Sequence, residues 1–267
     1  MMGRTGLIIV LSIAAAAGLI LGFFPQIDLW VAQVFYEAID TDQVTAPRIF
    51  LTATILRKIG YGAELLLAAL PIIALVIKVI LPRRKILMPI SAIVFLLSTL
   101  TIGPGLLVNV ALKGHGGRPR PGLIVQFGGN ERFVPWWDPH GDCLRNCSFV
   151  SGEVSTAFWT MAPAALAPPT WRPLAYAAAL TFGTTMSFVR MVTGGHFLSD
   201  AIFAGVFTYL IIWLVYGLIY RWRCTRFDDN AIESALERVC ILWRAALTRL
   251  SRRCTRHAGG PNDGGAA

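Results

Sequence analysis

A guanidinium, an imidazole and a carboxylate, three groups that can act together in catalysis, fall within eleven positions of the chain. Arg190, His196 and Asp200 form the pattern R-x5-H-x3-D, at the junction of two apolar segments. If Asp200 begins the second helix, its carboxylate lies within reach of the imidazole four residues earlier. The carboxylate would fix the tautomer of His196 and stabilise its charged form, as an activated histidine nucleophile or base requires.

A second cluster offers positive charge. The segment 113–121, Lys-Gly-His-Gly-Gly-Arg-Pro-Arg-Pro, contains the pattern K-x6-R-P at Lys113, Arg120 and Pro121. Its glycines allow backbone N–H groups to approach an anion closely, and its basic side chains supply point and bidentate charge for phosphate. The alternative is a helix end at the membrane face, where basic side chains extend towards water.

A third cluster would begin a helix. Ser151, Gly152 and Glu153 precede an apolar run, so a hydroxyl and free backbone N–H groups would lie at the positive end of a helix dipole. Glu153 then has two interpretations, a group with a chemical role or an ordinary acidic residue of a first helical turn.

The composition predicts an integral membrane protein of the all-α class. Hydrophobic residues make up 55% of the 267 residues and charged residues 15%, whereas soluble domains carry about 25% charged residues. The mean hydropathy is +0.60. A membrane span needs ~20 apolar residues. Six candidates have this character: Thr5–Phe24, Ile59–Leu81, Ile86–Leu112, Val154–Pro168, Leu174–Val192 and Phe197–Tyr220.

The distribution of Lys and Arg predicts the orientation, because short cytoplasmic loops are enriched in both. Basic residues at 82–85, at Arg172 and throughout the segment from Arg221 onwards place both termini in the cytoplasm. We therefore expect a six-helix membrane domain over residues 1–225 with its reactive groups on the outer face. Residues 226–267 would form a cytoplasmic basic tail, amphipathic over 228–254 and disordered from His257.

The net charge of +9 is explained most simply by anionic lipid headgroups. No nucleic-acid-binding motif is recognised, so we expect no nucleic-acid partner.

The loop over 113–152 is predicted to be functional, because irregular segments of this length are uncommon in compact domains. Cys143 and Cys147 would form a disulfide in an oxidising compartment; a zinc site with His140 is the alternative interpretation. Four aromatic residues predict a lid resting on the bilayer: Phe127, Phe133, Trp136 and Trp137. Before it, the segment 27–35 predicts an amphipathic helix at the interface.

The three clusters, in this order and spacing, resemble the type 2 phosphatidic acid phosphatase and haloperoxidase family over residues 113–200. The resemblance implies that His196 attacks phosphorus to form a phosphohistidine and that Asp200 orients it. It implies a phosphate clamp formed by Lys113, Arg120, Arg190, Ser151 and Gly152. It also implies that the cations stabilise the transition state without a metal or other cofactor.

Two positions depart from the family pattern. Val189 replaces a serine, and Val150-Ser151-Gly152-Glu153 replaces Pro-Ser-Gly-His. The family histidine protonates the leaving alkoxide, so Glu153 is a candidate for that role if burial keeps it protonated. His115 is a second candidate, and a good leaving group that needs little acid assistance is a third explanation.

The expected function is removal of phosphate from a lipid at the periplasmic face of a bacterial inner membrane. Lipid A is the preferred substrate, because the arginines of the long loop suit a multiply anionic headgroup. Undecaprenyl pyrophosphate, phosphatidylglycerophosphate and phosphatidate are alternatives, as is phosphotransfer between lipids. A catalytically dead lipid-phosphate-binding protein is the alternative from another class. Soluble haloperoxidases and transporters fit the sequence less well, since its apolar runs are many and their interiors carry few charges.

Overall fold

A computed structural model describes residues 2–40, 46–83, 85, 88–113, 117–222 and 228–258. Helices dominate the described residues, and no β-strand is found among them. The helices are α1 Arg4–Phe23, α2 Gln26–Asp40, α3 Ala46–Ile80, α4 Ile90–Leu100, α5 Gly152–Trp159, α6 Met161–Leu166, α7 Arg172–Val192, α8 Leu198–Tyr216 and α9 Asp229–Ala258. A π-helical segment, Thr101–Leu112, continues α4, and another, Gly217–Arg221, continues α8. The all-α prediction is confirmed.

Four helical segments are long and apolar enough to cross a membrane: Arg4–Phe23, Ala46–Ile80, Ile90–Leu112 and Leu198–Arg221. Helices also lie at the other two predicted spans. However, the predicted Val154–Pro168 span consists of two short helices, α5 and α6, and α7 falls outside the set of four. Six spans therefore stay a prediction.

Helix α3 is much longer than its apolar run. It begins at Ala46 instead of the expected Ile59 and has 35 residues, about 50 Å of helix against a hydrocarbon core of about 30 Å. The basic residues that ended the apolar run on the N-terminal side are helical here. Arg57 is consequently carried on a rigid helix instead of a loop.

The π-helical continuation of α4 contains Pro104. Proline has no N–H group and its ring clashes with the preceding turn, so a regular α-helix is unfavourable around it. The side-chain amide of Asn109 donates a hydrogen bond to the Pro104 carbonyl over 2.7 Å. The segment ends at Lys113, so this irregular helix positions the first basic residue of the 113–121 cluster.

Helix α5 is the central element, and it packs against α7, α8 and the π-helical end of α4. The ring of Phe158 lies between two glycines, Gly183 of α7 and Gly205 of α8, where an added Cβ would come within 2.5 and 3.0 Å of ring carbons. Because neither glycine has a side chain, the two helices approach α5 closely. This approach brings the starts of α5 and α8 together at the end of α7.

Helix α2 confirms the predicted helix over 27–35, with Trp30 exposed. The loop aromatics are mostly packed instead of resting on the bilayer as predicted. Phe127 stacks on Tyr36, Phe133 contacts the ring of Phe197, and Trp136 contacts that of Phe203. Only Trp137 of the four is exposed. The loop therefore folds onto the helices and covers a buried charge.

That buried charge is Arg118, whose guanidinium is fully inaccessible. It donates hydrogen bonds to Asp28 of α2 over 2.8 Å and to Asp200 of α8 over 2.6 Å. It also donates to the Ser199 hydroxyl and the Val134 carbonyl, over 2.7 and 2.9 Å. One side chain of the loop thus fixes α2, α8 and the loop itself around the predicted reactive carboxylate.

The carboxylate of Asp28 completes this network. It accepts the backbone N–H of Ser199 over 2.9 Å and the Ser199 hydroxyl over 2.6 Å. Buried ion pairs stabilise little relative to apolar residues, but removing one partner leaves an uncompensated charge, which costs about 3–5 kcal/mol.

Asp28→Asn should lower the free energy of unfolding, because the amide keeps the shape but cannot meet the charge of Arg118. The expected loss is about 3–5 kcal/mol, measured as a lower unfolding temperature in detergent. Asp142→Asn, at an exposed position, is the matched control. Equal unfolding temperatures for the two variants would contradict the role of Asp28.

Candidate active site

His196 lies between α7 and α8 and is 2% exposed. Its Nδ1 is 2.9 Å from the Ser148 carbonyl oxygen and 3.5 Å from Oδ2 of Asp200. Both neighbours are hydrogen-bond acceptors, so Nδ1 carries the proton and Nε2 carries the lone pair of the neutral ring. The closer partner is a backbone carbonyl of the loop, which the sequence pattern did not reveal.

The imidazole is neutral near pH 7. Burial lowers the pKa of His196 to about 4, and this effect outweighs the hydrogen bond and charge of Asp200, which act in the opposite direction. Arg190 and Arg120 lower it further. Since only the neutral ring has a lone pair at Nε2, the environment keeps His196 in the form that can attack an electrophile.

Asp200 is fully buried and accepts hydrogen bonds from three groups. Arg118 and the Ser148 hydroxyl donate to separate carboxylate oxygens, over 2.6 and 2.5 Å. The backbone N–H of Phe197 donates to Oδ2 over 2.8 Å, which caps the start of α8. Asp200 therefore serves both as a helix cap and as a fixed negative charge beside His196.

The basic residues predicted for a phosphate clamp converge on this region. Burial is the main cause that lowers the pKa of Lys113, and the charge of Arg120 adds to it. Burial also lowers the pKa of Arg120, although Glu153 and Asp200 oppose this effect. Cations that are disfavoured by burial and by each other would gain stability from a bound anion.

Arg190 approaches the turn before His196. A Cβ added at Gly195 would lie 2.5 Å from Nη2 of Arg190, so a glycine is required for this close contact. The Nε atom is buried without a hydrogen-bond partner among the described residues. A buried guanidinium N–H without a partner is costly, and an anion at the site would satisfy it.

Arg120 and the start of α5 form the opposite side of the site. Arg120 donates to the side-chain and backbone oxygens of Asn146, over 2.8 and 3.2 Å. Ser151 caps α5 by accepting from the Val154 N–H over 3.4 Å. A Cβ at Gly152 would meet Nζ of Lys113 at 2.9 Å. Predicted clamp residues from three segments are therefore brought together.

Glu153 is not free. Its carboxylate accepts two hydrogen bonds from Arg57 of α3, over 2.7 and 2.5 Å, and lies 3.7 Å from Nε of Arg190. A bidentate guanidinium stabilises the ionised carboxylate, and this contact argues against the predicted role as a proton donor. That role stays a prediction. The other candidate, His115, lies outside the described residues.

Cys143 and Cys147 form a disulfide, as one of the two interpretations predicted. Their sulfurs are consequently unavailable for the alternative zinc site with His140. Among the described residues, no group of three or more His, Cys, Asp and Glu side chains is arranged to hold a metal ion.

Sequence reasoning missed Arg57, Arg118 and Asp28 as site residues. Arg57 lies in a segment predicted to precede the second span, and Asp28 in a helix predicted to lie on the interface. Arg118 stands inside the K-x6-R-P cluster, but the pattern assigns roles only to its ends. Asp28 and Arg118 are fully buried in the structure and therefore require partners, but no sequence signal predicted that burial, and Arg57 is exposed.

The comparisons with known proteins agree with this geometry. Residues 91–224 match the model of the PAP2 superfamily. A lipid A 4'-phosphatase of Rhizobium leguminosarum is 33% identical over 198 residues, covering 67% of this chain and 81% of that protein.

Two further relatives carry the same description. The protein of Francisella tularensis subsp. novicida (strain U112) is 44% identical over 132 residues, 49% of this chain and 60% of its own length. That of Rhizobium etli is 44% identical over 109 residues, 39% of this chain and 40% of its own length. No solved structure matches the chain. The family match contains Lys113, Arg120, Arg190, His196 and Asp200, and on this evidence the chain belongs to the PAP2 superfamily.

Proposed function

We propose that this protein is a lipid phosphatase that removes a phosphate monoester from lipid A through a phosphohistidine intermediate. The observation that carries the proposal is the pairing of a neutral, buried His196 with the cations of the clamp. Nδ1 of His196 faces two acceptors, so Nε2 is the nucleophilic atom. Arg190, with a buried N–H that has no hydrogen-bond partner among the described residues, supplies charge for the phosphate.

The first step is attack of Nε2 of His196 on phosphorus. The N–P bond forms while the bond from phosphorus to the sugar oxygen breaks, and the leaving alkoxide takes a proton from water to depart as the alcohol. Charge on the equatorial oxygens of the transition state is stabilised by Lys113, Arg120 and Arg190. Asp200 stabilises the positive charge that develops on the imidazole.

The second step is hydrolysis of the phosphohistidine. Water attacks phosphorus, the P–N bond breaks, and inorganic phosphate is released with neutral His196 regenerated. The clamp cations stabilise this transition state as they do the first, so the proposal needs no metal or other cofactor.

A lipid substrate is supported by an apolar groove of about 370 Å³ along α3, α6 and α7. It is lined by residues such as Ala63, Leu67 and Phe182. Thr160 on its wall lies seven residues, about 10 Å of helix, beyond Glu153. An acyl chain in this groove would leave the headgroup beside the clamp. The similarity to lipid A 4'-phosphatases favours lipid A over the other lipid phosphates.

The proposed orientation places the site at the outer face of a bacterial inner membrane and both termini in the cytoplasm. The basic segment at 82–85, Arg172 and the arginines from Arg221 onwards support it through their distribution. The disulfide of the loop is consistent with a periplasmic position. Residues 1–225 then form a six-span phosphatase domain, with a basic cytoplasmic tail over 226–267.

The second candidate function is a phosphate-binding protein that does not turn over its ligand. The ion pair between Glu153 and Arg57 favours this candidate, because the family histidine that protonates the leaving group is replaced by a carboxylate held in its ionised form. The two candidates differ in whether phosphate is released.

Release of phosphate by the purified protein in detergent tests the main proposal. Lipid A should be the best of a panel that includes undecaprenyl pyrophosphate, phosphatidylglycerophosphate and phosphatidate, and release should persist with a chelator. His196→Ala should abolish it, because no nucleophile remains. His140→Ala, at an exposed imidazole, should not. No release above the His196→Ala background with any lipid would refute the enzyme and leave the binding protein.

The role of Glu153 is tested by a double-mutant cycle with Arg57. If Glu153 only holds Arg57, then Glu153→Gln, Arg57→Gln and the double variant should lose similar activity, because each breaks the same pair. A proton donor instead predicts that Glu153→Gln loses roughly 100-fold or more while Arg57→Gln does not. It also predicts that Glu153→His restores the rate, an outcome that would exclude the holding role.

A further inference from the structure

A polar cavity, distinct from the apolar groove, lies at the end of the helical bundle opposite His196. It has a volume of about 560 Å³ and is bounded by the start of α1, the start of α7 and the end of α8. Its polar lining includes Arg172, Tyr176, Tyr216, Tyr220 and Arg221. Helix α7 runs from Arg172 at this cavity to Arg190 at the candidate active site, about 27 Å of helix, so the two sites are separate.

Arg221 presents a fixed and unused hydrogen-bonding edge. Its Nη1 donates to the Met2 carbonyl over 2.6 Å, and its guanidinium lies 4.3 Å from the ring centroid of Trp213 and 5.2 Å from that of Trp222. Nε and Nη2 are buried and have no hydrogen-bond partner among the described residues. These two atoms form the side of the guanidinium that binds a phosphate or carboxylate with two parallel hydrogen bonds.

Tyr176 supplies a second donor without a partner. The side chain is 4% exposed, and its hydroxyl is buried with no hydrogen bond to any described residue. A buried hydroxyl and two buried guanidinium N–H groups at one cavity would each cost free energy unless a ligand satisfies them.

The charge around the cavity is positive. Arg172 is held through Nε by the Ala167 carbonyl over 3.1 Å, and it adds a second guanidinium. None of the described residues that line the cavity is acidic. The carboxylate of Asp229, which follows along the chain, accepts hydrogen bonds from the backbone N–H and hydroxyl of Ser91 over 2.8 and 3.0 Å.

We propose that this cavity binds a phosphate group. Arg221 would bind two phosphate oxygens through Nε and Nη2, the Tyr176 hydroxyl would donate to one of the same two oxygens, and Arg172 would add a second positive charge. The paired donors of a guanidinium match the geometry of two phosphate oxygens, and anionic lipid headgroups present such a group at a membrane surface. The phosphate belongs either to an anionic lipid headgroup or to a soluble phosphate. The volume of the cavity lies within the roughly 300–1,000 Å³ typical of ligand sites.

Native mass spectrometry of the full chain in detergent tests the lipid source. The probe is phosphatidylglycerol, a phosphodiester that phosphomonoester chemistry leaves intact, and phosphatidylcholine is the comparison lipid. Arg221→Gln and Tyr176→Phe should each reduce the preference for phosphatidylglycerol, Arg221→Gln by about tenfold, because charge-assisted hydrogen bonds are lost. Arg4→Gln removes an exposed arginine at the same end of α1 and should leave the preference unchanged.

Inorganic phosphate tests the soluble source, with binding followed by ³¹P line broadening. Phosphate at the active site broadens the line equally in wild type and Arg221→Gln, so only the difference between them reports on this cavity. A difference in either assay supports the site and identifies its source. Arg221→Lys keeps the positive charge but removes the two parallel hydrogen bonds that a guanidinium donates. This variant should bind phosphate as weakly as Arg221→Gln.

The proposal is overturned if Arg221→Gln and Tyr176→Phe match wild type in both assays, or if Arg4→Gln loses as much binding as Arg221→Gln. It is also overturned if Arg221→Lys binds phosphate as tightly as wild type, because the two parallel hydrogen bonds from Arg221 would then not be needed. Unfolding temperatures monitor the fold. If Arg221→Gln does not fold, Tyr176→Phe alone decides, because loss of one hydroxyl leaves the bond to Met2 and the stacking on Trp213 intact.

Discussion

The arrangement depends on one buried guanidinium between two buried carboxylates. Arg118 joins Asp28 near the start of α2 to Asp200 at the start of α8, and all three side chains are inaccessible to solvent. A charge in such a place is tolerated only with its partners. The elements that carry those partners are therefore held in one relation to each other, and His196 stands at their junction.

This network assigns different electrostatic roles to the cations. Arg118 is fully used by Asp28, Asp200, Ser199 and Val134, so it neutralises the carboxylate beside the histidine. The predicted clamp cations are less fully bonded: Nε of Arg190 is buried without a hydrogen bond to any described residue and lies 3.7 Å from the carboxylate of Glu153. The carboxylate of Asp200 lies beside Nδ1 of His196, and the predicted clamp cations lie around the ring. This arrangement suits an imidazole that becomes cationic as its Nε2 lone pair forms a bond to phosphorus.

The spacing of the three clusters allowed much of the site to be predicted, because each cluster lies within one or two turns of a helix end. Val189, Arg190 and the following turn form one local unit, and the convergence of that unit with Lys113 and Arg120 was inferred from the family resemblance. Lys113, Gly152, Arg190 and His196 do lie together.

Long-range partners could not be predicted in this way. Asp28 binds Arg118, 90 positions away in the sequence, and Arg57 binds Glu153, 96 positions away. Sequence periodicity reports only on neighbouring residues, so it does not predict such pairs. The start of α3 at Ala46, before the predicted span, was missed for a related reason. Hydropathy marks where a chain becomes apolar, whereas a helix continues through charged residues when tertiary contacts support it.

The central claim is that Nε2 of His196 carries the phosphoryl group. Rapid acid-free quenching of the enzyme with lipid A labelled with ³²P in its phosphates, followed by peptide mapping, tests it most directly. We expect an acid-labile, base-stable label on the peptide that contains His196, formed before phosphate release and absent in His196→Ala. Turnover without that label, or a label on another residue, would contradict the mechanism.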